Sequence, residues 1–250
     1  MRTLLFITLS LGVLHAGEPL RVAIYDGPGS AGKGIPRMTE LLSGRPDFTV
    51  TKLPPAAIPQ LSVKDHDIII FTGGSGSKQA AAIKDEGVAA VSQFVESGGG
   101  YVGICAGAYL ACSNFKWGTK IIDARTVSSK WMRGTGDVQM VLTEEGKAIL
   151  GHKADEVTVR YANGPIMMPF GQADVPDMKP LAYFNTEISR NGSPVGIMTG
   201  APAIAVGEFG KGRVVAISPH PEQTAGLDEM VRNAVRWSGK REPITANPVP

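Results

Sequence analysis

The 250-residue chain has little of several things, and each scarcity removes a class of function. Cysteine is limited to Cys105 and Cys112, which is too few for a disulfide-built scaffold. If both lie on one helix, their seven-residue separation puts the Cα atoms roughly 10 Å apart, beyond disulfide reach, so both are expected as free thiols. Histidine occurs four times, and no grouping of His, Cys and carboxylates has metal-ligand spacing, so neither a metal nor a cofactor is expected. Excess charge is also missing. A formal net charge of +2 gives no reason to expect nucleic acid or an anionic membrane as partner. The longest leading apolar stretch, Leu4 to Leu14, is too short to span a bilayer as an ordinary helix.

What stands at the start is instead a pattern for export. Met1-Arg2, the apolar stretch and the small-residue exit His15-Ala16-Gly17 read as a secretory signal peptide over residues 1–17, without a lipobox cysteine. Cleavage near Ala16 or Gly17 is expected to leave a secreted or periplasmic protein with a single domain over 18–239. Lys240 to Pro250 contains prolines and no apolar period, so a disordered tail is expected there.

Between those ends, 43% hydrophobic content is enough for a large core. Strand and helix signals alternate, which indicates an α/β fold with a doubly wound, mostly parallel sheet. Strands are expected near 20–25, 48–52, 68–71, 101–104, 138–142, 157–161, 203–209 and 214–218. Helices are expected at 34–43, 80–97, 106–112, 144–150 and 227–238. In such a sheet, ligands bind at the carboxyl ends of the strands.

Two of those strand ends carry chemistry. Tyr101-Val102-Gly103-Ile104-Cys105-Ala106-Gly107 reads as a buried strand turning sharply into a helix, with Cys105 at the turn. Gly103 and Gly107 would let strand and helix approach closely, and the helix start would favour the thiolate. Cys105 could equally be a small core residue. Val214 to Ser218 runs out into Pro219-His220-Pro221-Glu222, where the prolines favour an extended turn with His220 and Glu222 on one side. A carboxylate beside one imidazole nitrogen fixes the tautomer and leaves the other to take the proton of a nucleophile. The two strand ends supply what each other needs, which favours a Cys105–His220–Glu222 triad over a surface His-Glu pair.

A third strand, Ile68 to Phe71, ends in Thr72-Gly73-Gly74-Ser75-Gly76. This turn has neither a P-loop ending nor dinucleotide-fingerprint spacing. Its glycines suit backbone N–H groups aimed at a substrate oxygen, so Gly74 and Ala106 are the expected oxyanion donors. His15, His66 and His152 have ordinary solvated or capping explanations.

Gly73-Gly74, Gly103-Ile104-Cys105-Ala106-Gly107 and His220-Pro221-Glu222, in this order, resemble the class I glutamine amidotransferase superfamily. Within it, Tyr25-Asp26-Gly27-Pro28-Gly29-Ser30, Cys105 to Ala111 and Tyr161-Ala162-Asn163-Gly164-Pro165 resemble the domain at the N-terminus of biotin-protein ligases, which also occurs free-standing in bacteria. The resemblance implies a flavodoxin-like three-layer α/β/α sandwich with nucleophile, base and orienter at Cys105, His220 and Glu222. It also places Gly73, Tyr161 and Asn163 around the substrate. It does not imply biotin ligation, because no ligase-type adenylate loop is present. The expected activity is that of a cysteine-dependent hydrolase or amidotransferase-like protein acting on a small-molecule or peptide amide through a thioester. The alternative is a non-catalytic binding module on the same fold, and the oligomeric state is left open.

Overall fold

The computed structural model describes residues 18–128 and 132–244. In chain order the strands are β1 (Leu20–Tyr25), β2 (Phe48–Leu53), β3 (Ile68–Phe71), β4 (Gly100–Ile104), β5 (Ala124–Thr126), β6 (Thr135–Leu142), β7 (Glu156–Ala162), β8 (Met167–Pro169), β9 (Lys179–Phe184), β10 (Pro202–Phe209) and β11 (Gly212–Ile217). The α-helices are α1 (Gly34–Leu42), α2 (Gly76–Glu96), α3 (Ala106–Ala111), α4 (Glu144–Leu150) and α5 (Asp228–Ser238).

One nine-stranded sheet has the order β2-β1-β3-β4-β11-β10-β9-β6-β7. Its first five strands pair in parallel, in the flavodoxin-like order expected of the fold. The other four extend that core as antiparallel neighbours. β5 and β8 form a separate two-stranded ribbon.

The inner parallel strands are apolar on both faces because helices cover both, whereas the edge strand β2 leaves Thr49, Thr51 and Lys52 exposed. β3 and β4 are buried along their whole length. On one face Val22, Ile24, Ile70, Val102, Ile104 and Ile217 pack with Met38 and Leu42 of α1 and Met230, Val231 and Val235 of α5. On the other, Ala23, Tyr25, Ile69, Phe71, Tyr101 and Ala216 pack with Ala80, Ile83, Phe94 and Val95 of α2 and with α3. The period-two alternation of strand side chains thus produces the three layers. Tyr25, Phe71 and Tyr101 stack in a ladder across three adjacent strands, with centroids 4.8 and 5.8 Å apart. Tyr101 closes it by donating to the Gly107 carbonyl at 2.8 Å, which ties the ladder to α3.

Three strands, β5, β8 and β9, were not expected from the sequence, and α2 begins before 80 and breaks at Lys84 (φ 60°). The expected disordered tail also differs at its start. Ile244 exchanges two hydrogen bonds with the Asn233 side chain, both 2.8 Å, and Arg241 donates to the Glu18 carbonyl at 2.9 Å. Those bonds hold residues 241–244 against the domain, while residues 245–250 and the expected signal at 1–17 lie outside the described residues.

Candidate active site

β4 and α3 meet at Cys105, whose backbone is held at φ 53° and ψ −97°. Non-glycine residues rarely adopt positive φ, and such outliers persist where the surroundings impose them. Here the imposition is steric. A side chain on Gly103 would lie 2.5 Å from the Gly107 backbone, and one on Gly107 would lie 2.1 Å from the Phe71 carbonyl oxygen. Only glycine lets β4, α3 and β3 approach this closely, and the Cys105 N–H is fixed to the Ile217 carbonyl at 2.8 Å. The chain can therefore turn only by putting Cys105 at the apex. Its Sγ donates to the Ala162 carbonyl at 3.4 Å.

β11 delivers His220 three residues beyond its end, beside the sulfur. The main chain around His220 is pinned from two sides. Its N–H donates to the Arg160 carbonyl at 2.7 Å, and the Thr224 hydroxyl donates to its carbonyl at 2.9 Å. Glu222 is fully buried, and its Oε1 lies 2.8 Å from His220 Nδ1. With the Nδ1 proton donated to that carboxylate, Nε2 is left for the thiol. Burial is the largest influence on the imidazole and acts against its charged form. Hydrogen bonds to Cys105 and Glu222, reinforced by their charges, outweigh it and push the His220 pKa up to about 10.

Gly73 lies against this imidazole, since a Cβ there would sit 2.7 Å from His220 Cε1. Gly74 is strained for any other residue, with φ 141° and the Gly29 oxygen 2.0 Å from where a Cβ would be. Gly74 forms a narrow antiparallel bridge with Ser30. The flanking pairs are Ala31 N–H to Gly73 O, 2.9 Å, and Ser75 N–H to Gly29 O, 2.7 Å. That pattern directs the Gly74 N–H away from its bridge partner. The Ala106 N–H opens α3 and has no intrahelical acceptor.

Cys105, His220, Gly73, Gly74 and Asn163 all line one cavity of about 510 Å³. Asn163 takes φ 56°, and its side-chain oxygen accepts from the Gly134 N–H at 2.7 Å, so that side chain shapes the wall. Tyr161 departs from the expected rim position. It is fully buried, donates to the Gly164 carbonyl at 2.7 Å and packs edge-on against Phe184. Strand alternation explains this: Val159 and Tyr161 face the core, leaving Arg160 and Ala162 on the cavity side. Cys112 is a buried free thiol, pushed up to about 12 by desolvation.

Several participants were not singled out in the sequence. The Gln223 amide donates to Glu222 Oε1 at 2.9 Å and lies 3.2 Å from His220 Nδ1. Arg37 of α1 donates to the Glu222 carbonyl at 2.9 Å while paired with Asp228 at 2.8 Å. Gln223 follows the His-x-Glu pair directly and could have been read from it. Arg37 lies far away in sequence, and only the packing of α1 brings it near.

The architecture is a flavodoxin-like core with a cysteine at the strand-helix elbow. It is shared with PurLQS from Thermotoga maritima (14% identity, 88% of this chain and 99% of that one, TM-score 0.62). It is shared equally with a ThuA-like protein from Parabacteroides merdae (13% identity, 92% and 94%, TM-score 0.60). A glutamine amidotransferase structure matches with 15% identity over 86% of this chain and 98% of that chain, at a TM-score of 0.57. More narrowly, residues 20–130 match the family described as Biotin-protein ligase, N terminal. No curated protein matches the sequence.

Proposed function

We propose that the protein is an exported cysteine hydrolase or acyl transferase acting on an amide. The observation carrying this is the positive-φ elbow that sets Cys105 beside a histidine bonded to a buried carboxylate. The leading residues 1–17 support export.

In this reaction His220 takes the thiol proton and the Cys105 thiolate attacks the amide carbonyl carbon, forming the C–S bond and an oxyanion. The N–H groups of Gly74 and Ala106 hold that oxyanion. The C–N bond then breaks, and the amine leaves with the proton returned by His220. Water, deprotonated by His220, attacks the thioester and releases the acid and the thiol; an amine attacking instead would complete a transfer. Glu222 holds the imidazole in its tautomer and stabilises the imidazolium.

The decisive experiment is iodoacetamide labelling of the purified mature chain across pH, read by mass spectrometry at Cys105 and Cys112. Rapid labelling of Cys105 at neutral pH, slowed in His220→Ala, is the expected result, with Cys112 inert. Slow labelling indifferent to His220→Ala would refute the assembled pair and leave a binding module.

A further inference from the structure

The cavity is built from two unlike walls. On one, Tyr109, Phe115 and Trp117 form a cluster, with Phe115 and Trp117 stacked at 4.5 Å and Tyr109 6.1 Å from Phe115. All three rings are only partly buried. Large rings left partly wet inside a concavity are the usual surface for a flat apolar group.

The other wall is cationic. Arg160 stands on the cavity face of β7, one residue pair from the carbonyl that receives the Cys105 thiol, and its carbonyl anchors the His220 N–H. Among the described residues its guanidinium has no hydrogen bond or ion pair, although it is half-buried. Lys33 adds a second cation from the start of α1. Among the described residues, no aspartate or glutamate lines the cavity. The helix starts make the same point. α1 and α2 open toward the cavity with no acidic residue in their first turns and no capping side chain. α4 and α5, which start elsewhere, carry Glu144 and Glu145, and Asp228 and Glu229. The positive ends of α4 and α5 are therefore met by first-turn acids, and those of α1 and α2, at the cavity, are not.

We infer that the substrate is an amide with a flat aromatic group and a carboxylate, held between the Phe115–Trp117 wall and Arg160, and that a free amino acid such as glutamine is not bound. A planar guanidinium matches a carboxylate through two parallel hydrogen bonds. Among the described lining residues an α-ammonium group would find no carboxylate to pair, only the neutral oxygens of side chains such as Ser75, Ser77 and Thr126 beside the two cations. This assignment rests on the catalytic reading only in taking Cys105 as the point where the carbonyl sits.

The test uses Cys105-directed alkylating probes of one shape and three charges: 4-(2-iodoacetamido)benzoate, N-phenyl-2-iodoacetamide and its 4-trimethylammonio derivative. In each, the sulfur displaces iodide and a C–S bond forms. Rates at Cys105 are divided by that of the neutral aryl probe, so the ratio is readable whether or not the thiol is activated. The anionic probe should lead the cationic one by about tenfold or more, the worth of one charge-assisted contact. Arg160→Gln should erase that ratio and Arg160→Lys restore part of it. Trp117→Ala should reduce the advantage of the neutral aryl probe over iodoacetamide. Equal or inverted charge ratios, or a ratio that survives Arg160→Gln, would overturn the inference even if Cys105 labels rapidly. Slow iodoacetamide labelling indifferent to His220→Ala, with the anionic preference intact, would sink the catalytic reading and leave the anion site standing.

Discussion

The two halves of the central sheet do different work. The parallel half, β2-β1-β3-β4-β11, presents Gly73, Cys105 and His220 at neighbouring carboxyl ends, each fixed by main-chain contacts. The antiparallel half, β10-β9-β6-β7, ends near the same cavity but contributes Arg160, Ala162 and Asn163, which form its wall. Strands buried on both faces cannot vary much without losing core, whereas β7 has one face free to present side chains. On the proposed reading, the division assigns reactivity to the parallel half and selectivity to the antiparallel half.

The sharpest way to break that division is through the base. His220→Ala should lower the rate of Cys105 alkylation at neutral pH by about 10²-fold or more, as loss of a positioned base does; a smaller fall would mean that the elbow alone activates the thiol. Next comes stability, measured by urea unfolding. Phe71→Ala in the parallel half should cost about 3–5 kcal/mol, since it removes a buried ring from the aromatic ladder. Val159→Ala in the antiparallel half should cost about 2 kcal/mol. A single transition in both variants would show that the halves fold as one unit, and two transitions would separate them.

Gly73→Ala should slow labelling by about tenfold and lower stability as well, because the added methyl would sit 2.7 Å from the buried, pinned His220 ring, which must shift away from Glu222. The smallest effect is on pH dependence. The His220 pKa is raised from 6.5 to about 10, so its contribution to stability is fully present below 6.5, declines above it and is gone once pH has risen through about 10. Urea midpoints of the wild type should therefore fall over that window relative to His220→Ala, and parallel curves for the two proteins would deny the coupling to Cys105 and Glu222.

The same division governs what could be read from the sequence. Ile68-Ile69-Ile70-Phe71 and the run into Cys105 stand out because strands in a parallel core are continuously apolar, and β1, β3 and α4 have the expected bounds. β9 was missed because Lys179-Pro180-Leu181 opens with a lysine and a proline, which speak against a strand; it lies between β10 and β6, and tertiary pairing overrides that local preference. β5 and β8 have three residues each, too short for any period to register. At the site, Cys105, His220, Gly73 and Gly74 were legible because each sits at a strand end marked by glycine or proline. Tyr161 was misplaced because its motif is a turn signal and says nothing about which face of β7 the ring takes. Phe115, Trp117 and Arg160 carry no local signature; what gathers them is the fold.

The elbow has one more consequence. At φ 53° and ψ −97°, Cys105 occupies backbone territory that glycine enters freely and cysteine enters at a cost of about 1–3 kcal/mol. The chain therefore carries, at the position proposed as its nucleophile, a residue that its own architecture would rather exchange. Cys105→Gly should melt at a higher temperature than the wild type while losing its reactive thiol, so durability and reactivity pull in opposite directions at a single position.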